Sequence, residues 1–328
     1  MLISELSKIL KTDLIGDRET KISGVCSPDN PSPNCICYLL DIKKFNSEII
    51  SNASAILTTE EIFKKIDIQF CYLITKNLND SVITLHEQFL PPHCNFSNSS
   101  HLTLTKENLY SDFYFGDNST YGSGCSFGVN VVIENNVKIG ENVSLGHGVV
   151  IHKNCTIGNN VKIGSGCVIG SEGFGNFRLD DFSWGHIPHI GSVVIKNNVA
   201  IGSNCTIDRG TIEDTIIHDG VKLDNQIHIA HNVHIGENTA IAANTGIAGS
   251  CKIGKRNMIG GMVGIVDHIT TADDVIITAT STIYKNLKKS GTYTGIMPFF
   301  NHASWKRIAL LITKLDKIFN IIRLKKKL

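Results

Sequence analysis

Thirteen histidines among 328 residues carry most of the chemistry this chain could perform. Three stand at equal spacing in LDNQIHIAHNVHIG: His228, His231 and His234. Equal spacing invites a zinc reading, because neutral imidazole is a common zinc ligand. A different reading needs only one of them. A histidine that titrates near neutrality is the natural general base. His268 in GIVDHIT lies 37 residues beyond His231. Ten cysteines are present, yet Cys35 and Cys37 are too close for a usual zinc pair and nothing completes one. No cysteine metal site is expected.

Which of these groups can meet depends on the elements that carry them. From Phe115 onward an apolar residue recurs every six positions, interrupted twice, as far as Ile283. Counting Thr271 there are 25 such slots, 19 of them Ile, and Gly follows at once in 12. A period of six is a multiple of the strand period of two, so each hexad can be a short strand plus a corner with its inward face in phase. Ile suits the strand, Gly and Asn the corner. The pattern is that of hexapeptide parallel β-helices, where three hexads close one triangular coil of about 18 residues. Twenty-five hexads give about eight coils, or roughly 40 Å at the usual strand spacing. His228 and His234 then share a phase on successive faces, with His231 half a repeat from each. One chain cannot converge them on one ion, so His228 and His234 read as surface residues. Cys125, Cys155, Cys167, Cys205 and Cys251 all fall four places after a slot, where Val stands in other hexads, and read as core. The interruptions add 20 residues after Ile169, including SEGFGNFRLDDFSWGHIPHI, and four after Ile207, within DRGTIEDT. Insertions in solenoids map to surface loops, often on the binding face.

Residues 1–100 lack the period and read as a small α/β domain, opened by a helix (Leu2, Ile3, Leu6, Leu10) and closed by the polar PPHCNFSNSSH. Residues 101–290 hold the repeat. Residues 291–328 end in a helix with Trp305, Ile308, Ile312, Leu315, Phe319 and Ile322 at heptad spacing, which suggests helices from several subunits packing together. A net charge of +1 with 19% charged residues excludes wholesale disorder and a generally basic nucleic-acid binder. No apolar run reaches the length of about 18 residues that reads as a membrane span. The N-terminus is amphipathic rather than a secretory signal, so the cytoplasm is expected. From Trp305 to the end there are eight basic residues and one acid, Asp316.

In order and spacing, LIGDRETKISGV, GSEGFG, IGSNCTIDRG, DNQIHIAHNVHIG and GTYTGIMP resemble the UDP-3-O-acylglucosamine N-acyltransferases of lipid A biosynthesis, over nearly the whole chain. The resemblance implies a left-handed coil and transfer of a 3-hydroxyacyl chain from acyl carrier protein to the 2-amino group of a UDP-sugar. The only cofactor it implies is 4'-phosphopantetheine, delivered on the carrier protein. It assigns His231 as the base and the Gly249 amide as oxyanion donor. His268 matches a family active-site histidine; roughly 10 Å from His231 by strand spacing, it is expected to hold substrate rather than share a proton. Asp224 falls at a family position tied to the site and reads equally as a solvated corner residue, and TATSTIY around Thr282 is expected to line the acyl groove. In the family the first domain grips uracil between two aromatics. Here the corresponding run is YLLDIKKF: Tyr38 matches the first aromatic, Asp41 replaces Asn, Lys44 falls where the second aromatic belongs, and Phe45 comes one place late. A closed homotrimer with clefts between prisms is expected. The basic tail fits either an acidic carrier protein or anionic lipid of the inner membrane. The rival readings are the O-acyltransferase of the preceding step, which lacks such a first domain, and a non-catalytic or metal-binding β-helix.

Overall fold

The computed structural model describes residues 1–42, 45–66, 69–89, 113–315 and 319. Lys44, the PPHCNFSNSSH segment and most of the chain beyond Leu315, Ile322 included, lie outside them. The chain forms two compact units, Met1–Thr294 and Gly295–Leu328. The protein is mainly β.

The first 89 residues build a five-stranded sheet in the order β1 (Asp13–Ile15), β5 (Tyr72–Thr75), β4 (Ala55–Thr59), β3 (Cys35–Tyr38), β2 (Gly24–Cys26). Only the β1–β5 pair is antiparallel; the other neighbours run parallel. Parallel strands are covered on both faces, and two apolar clusters do this. Helix α1 (Ile3–Leu10) buries Ile3, Leu6 and Leu10, and the later helix α4 (Leu78–Gln88) buries Val82 and Leu85, against Ile36, Leu57 and Leu73. The opposite face packs Ile56 and Tyr72 against Ile50 and Phe63, from α2 (Ser47–Ile50) and α3 (Glu60–Phe63).

From Tyr114 the hexads form a parallel β-helix. Its strands, mostly two residues long, stack into three sheets of nine, nine and seven. The slot residues point inward: Ile133, Ile151, Ile169, Ile195, Ile207, Ile217 and Ile229 have no accessible surface. Each such burial is worth about 1.5–3 kcal/mol. Four of the five expected core cysteines are buried, and Cys125 packs at the margin. All nine described cysteines are free thiols. Corners fall one hexad apart on left-handed residues, with Asn in that conformation at 136, 142, 154, 160, 198, 204, 232, 238 and 244. Asparagine tolerates that region better than most side chains.

The offset between stacked residues is 18 where the repeat is unbroken, 38 across the first insertion and 22 across the second. Both insertions therefore leave the coil and rejoin in phase. The longer one projects an antiparallel hairpin, Asn176–Arg178 paired with Trp184–His186. Its base does not float as a loop. Ile187 joins the cluster beneath α4, with Phe177, Ile190 and Ile212 packed on it. Nδ1 of His86 on α4 lies 2.8 Å from the Pro188 carbonyl. The insertions are thus the mount for the N-terminal sheet.

In the second unit, the helix His302–Ile312 is capped by Asn301, whose side chain accepts from the Ser304 N–H at 3.0 Å. Trp305 and Ile312 on it, and Leu315 and Phe319 beyond it, are exposed. Among the described residues no helix is long and apolar enough to cross a membrane.

Candidate active site

His231 follows the strand His228–Ile229 and stands at a corner, half-buried. Its environment comes from three coils and both insertions. Nδ1 lies 3.0 Å from Oδ1 of Asn232 and 3.4 Å from Oγ1 of Thr211, the latter in the second insertion. The Asn232 amide cannot turn round, because its Nδ2 donates to the Glu213 carbonyl at 3.0 Å and its Oδ1 accepts from the Thr211 N–H at 3.0 Å. Oδ1 is therefore an acceptor facing Nδ1. That assigns the proton to Nδ1 and leaves Nε2 with its lone pair, the tautomer a base needs.

One coil on, Gly249 lies directly against that nitrogen. A Cβ at position 249 would stand 2.6 Å from Nε2, so any larger residue must push the His231 ring aside. At equivalent corners the backbone N–H is taken by a side chain from the next coil, as Glu141 N–H by Asn159 Oδ1 at 2.8 Å and Lys255 N–H by Asp273 Oδ1 at 2.8 Å. Among the described residues the Gly249 N–H meets no such acceptor. An unprotonated nitrogen and an unclaimed N–H thus adjoin.

His268 lies one further coil along the same corner, exposed and left-handed (φ 59°), with its N–H on the Gly249 carbonyl at 3.0 Å. Thr282 continues an outward column from His228 through Gly246 and Gly264. A Cβ on either glycine would meet nothing within 4 Å, so this strip of wall is open. Asp224 is not brought to His231. It follows the strand Lys222–Leu223, which belongs to another sheet, and its carboxylate accepts from Asn225 and Ala243 N–H groups at 2.8 and 3.2 Å.

The uracil candidates divide. Tyr38, at the end of β3, packs with the α1–α4 cluster, its ring 5.6 Å from that of His86. Burial pushes its phenol up to about 12. Phe45 packs with the opposite cluster, and Asp41 is exposed between them. The two aromatics do not face each other here.

Sequence reasoning passed over four contributors. Asn232 and Thr211 orient His231. Asp208, buried beside Ser171 Oγ at 2.6 Å, lies 3.6 Å from Nε2 of His228; burial raises its carboxyl, and the charges of His228 and His231 pull the other way. His189, from the long insertion, sets its ring 5.2 Å from that of His231. With Glu172 and His186 it is the one group of metal-ligand type among the described residues. Internal hydrogen bonds account for Glu172, whose Oε1 lies 3.1 Å from Nε2 of His186 and accepts from the His189 backbone N–H at 3.1 Å. The equally spaced trio does not converge: His234 instead neighbours His218, ring to ring 6.4 Å.

A family model described as bacterial transferase hexapeptide (six repeats) matches residues 136–171 and 214–249. A UDP-3-O-acylglucosamine N-acyltransferase of Bordetella pertussis is 44% identical over 150 residues, 45% of this chain and 41% of that protein, so the matched part is less than half of that relative. The counterpart from Methylobacillus flagellatus is 34% identical over an alignment that covers 96% of this chain and 92% of the relative. The chain belongs to the UDP-3-O-acylglucosamine N-acyltransferase family. Among solved structures, a Francisella novicida UDP-N-acetylglucosamine acyltransferase overlays with a TM-score of 0.50 at 23% identity, covering 58% of this chain and 71% of that one, a likeness of fold. In this N-acyltransferase family chain the long insertion, the second insertion and three consecutive coils all converge on His231.

Proposed function

We propose that the protein transfers an (R)-3-hydroxyacyl chain from the phosphopantetheine thioester of acyl carrier protein to the 2-amino group of a UDP-3-O-acylglucosamine, as a cytoplasmic homotrimer. The observation that carries this reading is that Nε2 of His231 lies against Gly249, whose N–H is unclaimed. Aminolysis of a thioester needs both groups. The amine attacks the carbonyl carbon while Nε2 takes its proton, and the carbonyl oxygen, now negative, accepts from the Gly249 N–H. The tetrahedral adduct collapses with loss of the thiolate, which the His231 imidazolium protonates. The Asn232 carbonyl stabilises that imidazolium by holding the Nδ1 hydrogen throughout. His268, further along the corner, suits a grip on substrate rather than proton transfer. The open Gly246–Gly264 strip leading to Thr282 suits the alkyl chain.

The test is an assay of purified protein with hydroxyacyl carrier proteins of several chain lengths and the UDP-sugar amine, compared with UDP-N-acetylglucosamine as acceptor. Amide product is expected, with His231→Ala lowering turnover by about 10² or more. Ester product, or near-wild-type turnover of His231→Ala, would overturn the reading.

A further inference from the structure

The rings of His189 and His231 stand edge to face, with planes at 72°. His189 is 2% exposed, and each part of it is held. Its backbone N–H donates to Oε1 of Glu172. Nδ1 lies 2.9 Å from the Ile187 carbonyl, which can only accept, so Nδ1 carries the hydrogen. Gly173 and Gly175 lie flat against the ring: a Cβ on the first would come within 2.9 Å of Nε2, and one on the second within 2.5 Å of Cε1. The same Cβ on Gly173 would stand 3.0 Å from Cβ of His231. Gly173 therefore stands between the His189 ring and the Cβ of His231, and Gly175 stands against the His189 ring.

His231 is held less firmly by itself. Asn232 and Thr211 both engage Nδ1, one edge of the ring, and the edge bearing Nε2 must stay unbonded to serve as a base. A hydrogen bond at one nitrogen leaves the ring free to rock about it. Something must wall it without bonding to it.

We propose that His189 is a positioning residue: an imidazole wall, supplied by the long insertion, that fixes the plane of His231 so that Nε2 stays over Gly249. This rests on His231 being the base. The titratable groups facing His189 are His231, Glu172 and His186, and burial, followed by the charge of His231, pushes the His189 pKa down to about 4. The wall is uncharged when His231 takes its proton, so no like charge opposes the imidazolium. A lysine or a solvated histidine at that place would oppose it. The buried Nε2 of His189, without a protein partner, is the cost of a ring that walls and does not bond.

The test pairs kinetics with nitrogen NMR of labelled histidines in His189→Ala and His189→Phe. In the alanine variant the Nδ1–H tautomer that Asn232 sets should persist, while the Nε2 resonance of His231 broadens as the ring rocks. Its kcat should fall about tenfold or more, as small misplacements of a reacting group do, with KM for both substrates within about twofold. Phenylalanine, flat and without nitrogen, should restore both readouts to within about threefold. An unchanged Nε2 linewidth and kcat in His189→Ala, or a rise in KM alone, would overturn the proposal. If the alanine variant does not fold, His189→Gln replaces it, keeping a donor for Ile187 but no ring; glutamine outperforming phenylalanine would overturn the wall. The NMR readout needs no substrate. A broadened Nε2 resonance in a protein that makes no amide would therefore remove the proposed reaction and leave the positioning role standing.

Discussion

A Cβ on Gly249 would stand 2.6 Å from Nε2 of His231, closer than side chains approach one another. Gly249→Ala keeps the backbone N–H proposed to hold the oxyanion but must push the His231 ring aside. Turnover should then drop by about 10², while the melting temperature stays near that of the wild type, because the corner lies outside the apolar core. Equal loss of turnover and stability would assign the glycine to folding alone. His189 gives a pH signature at the same scale. Its folded pKa, about 4, lies below the ordinary histidine value of about 6.5. Between those values the unfolded chain binds the extra proton, so stability rises with pH through that window and is lost as pH falls. The contribution is on the order of 3 kcal/mol. Melting at pH 5 and 7.5 should show a smaller gap for His189→Phe than for wild type. His231 and Gly249 were legible because their motif neighbours were. Asn232 was not, because asparagine at a left-handed corner is the default of this fold, and its role in fixing the tautomer hides behind that default.

At the scale of elements, a six-residue period predicts strands and inward faces, because every hexad repeats one packing problem. Insertions break the period and with it the inference. Their boundaries were plain, but what they pack against depends on the surface of α4, which no periodicity announces. The structure gives them a mount. His86 bonds Pro188, Ile83 lies against Gly185, where a Cβ would sit 2.6 Å from Cδ1 of Ile83, and the His86 ring also touches Tyr38. One buried histidine thus links the nucleotide candidate to the insertion that walls the base. His86→Leu fills the space but strands the Pro188 carbonyl, a cost of about 1–3 kcal/mol. If Tyr38 contacts the nucleotide, KM for the UDP-sugar should rise several-fold while KM for the acyl carrier protein hardly moves. A rise in the donor constant alone would detach Tyr38 from nucleotide binding. The separation of Phe45 from Tyr38 across the sheet follows from strand alternation: residues on β3 alternate faces, and the chain after it crosses to the other side.

At the scale of the whole molecule, Asp224 sits on a different sheet from His231, so within one chain the two cannot share a substrate. A three-fold assembly could pair the corner of one prism with the face of the next. Mixing inactive His231→Ala with inactive Asp224→Ala should restore part of the activity if chains exchange, and sedimentation should give a trimer; an active monomer would end this account. Charge is the other property of the whole. The segment from Trp305 to Leu328 carries +7, eight basic residues against Asp316, so the rest of the chain sums to −6. Its described portion is a helix bearing Lys306 and Arg307, with Lys314 just beyond; Lys317 and Arg323 lie outside the described residues. Opposite charge gathered at one end does not serve general solubility, which dispersed charge achieves. If the proposed carrier protein is the partner, this charge steers it and raises the encounter rate in a salt-dependent way. Reversing Lys314, Lys317 and Arg323 to Glu should therefore raise the apparent KM for acyl carrier protein about tenfold at low salt. The constant for the UDP-sugar should stay fixed, and added salt should bring wild type toward the variant, since screening over about 10 Å at 0.1 M removes the same attraction. If both constants stay put while binding to anionic vesicles is lost, the tail serves a lipid surface, and the carrier protein must be recognised elsewhere.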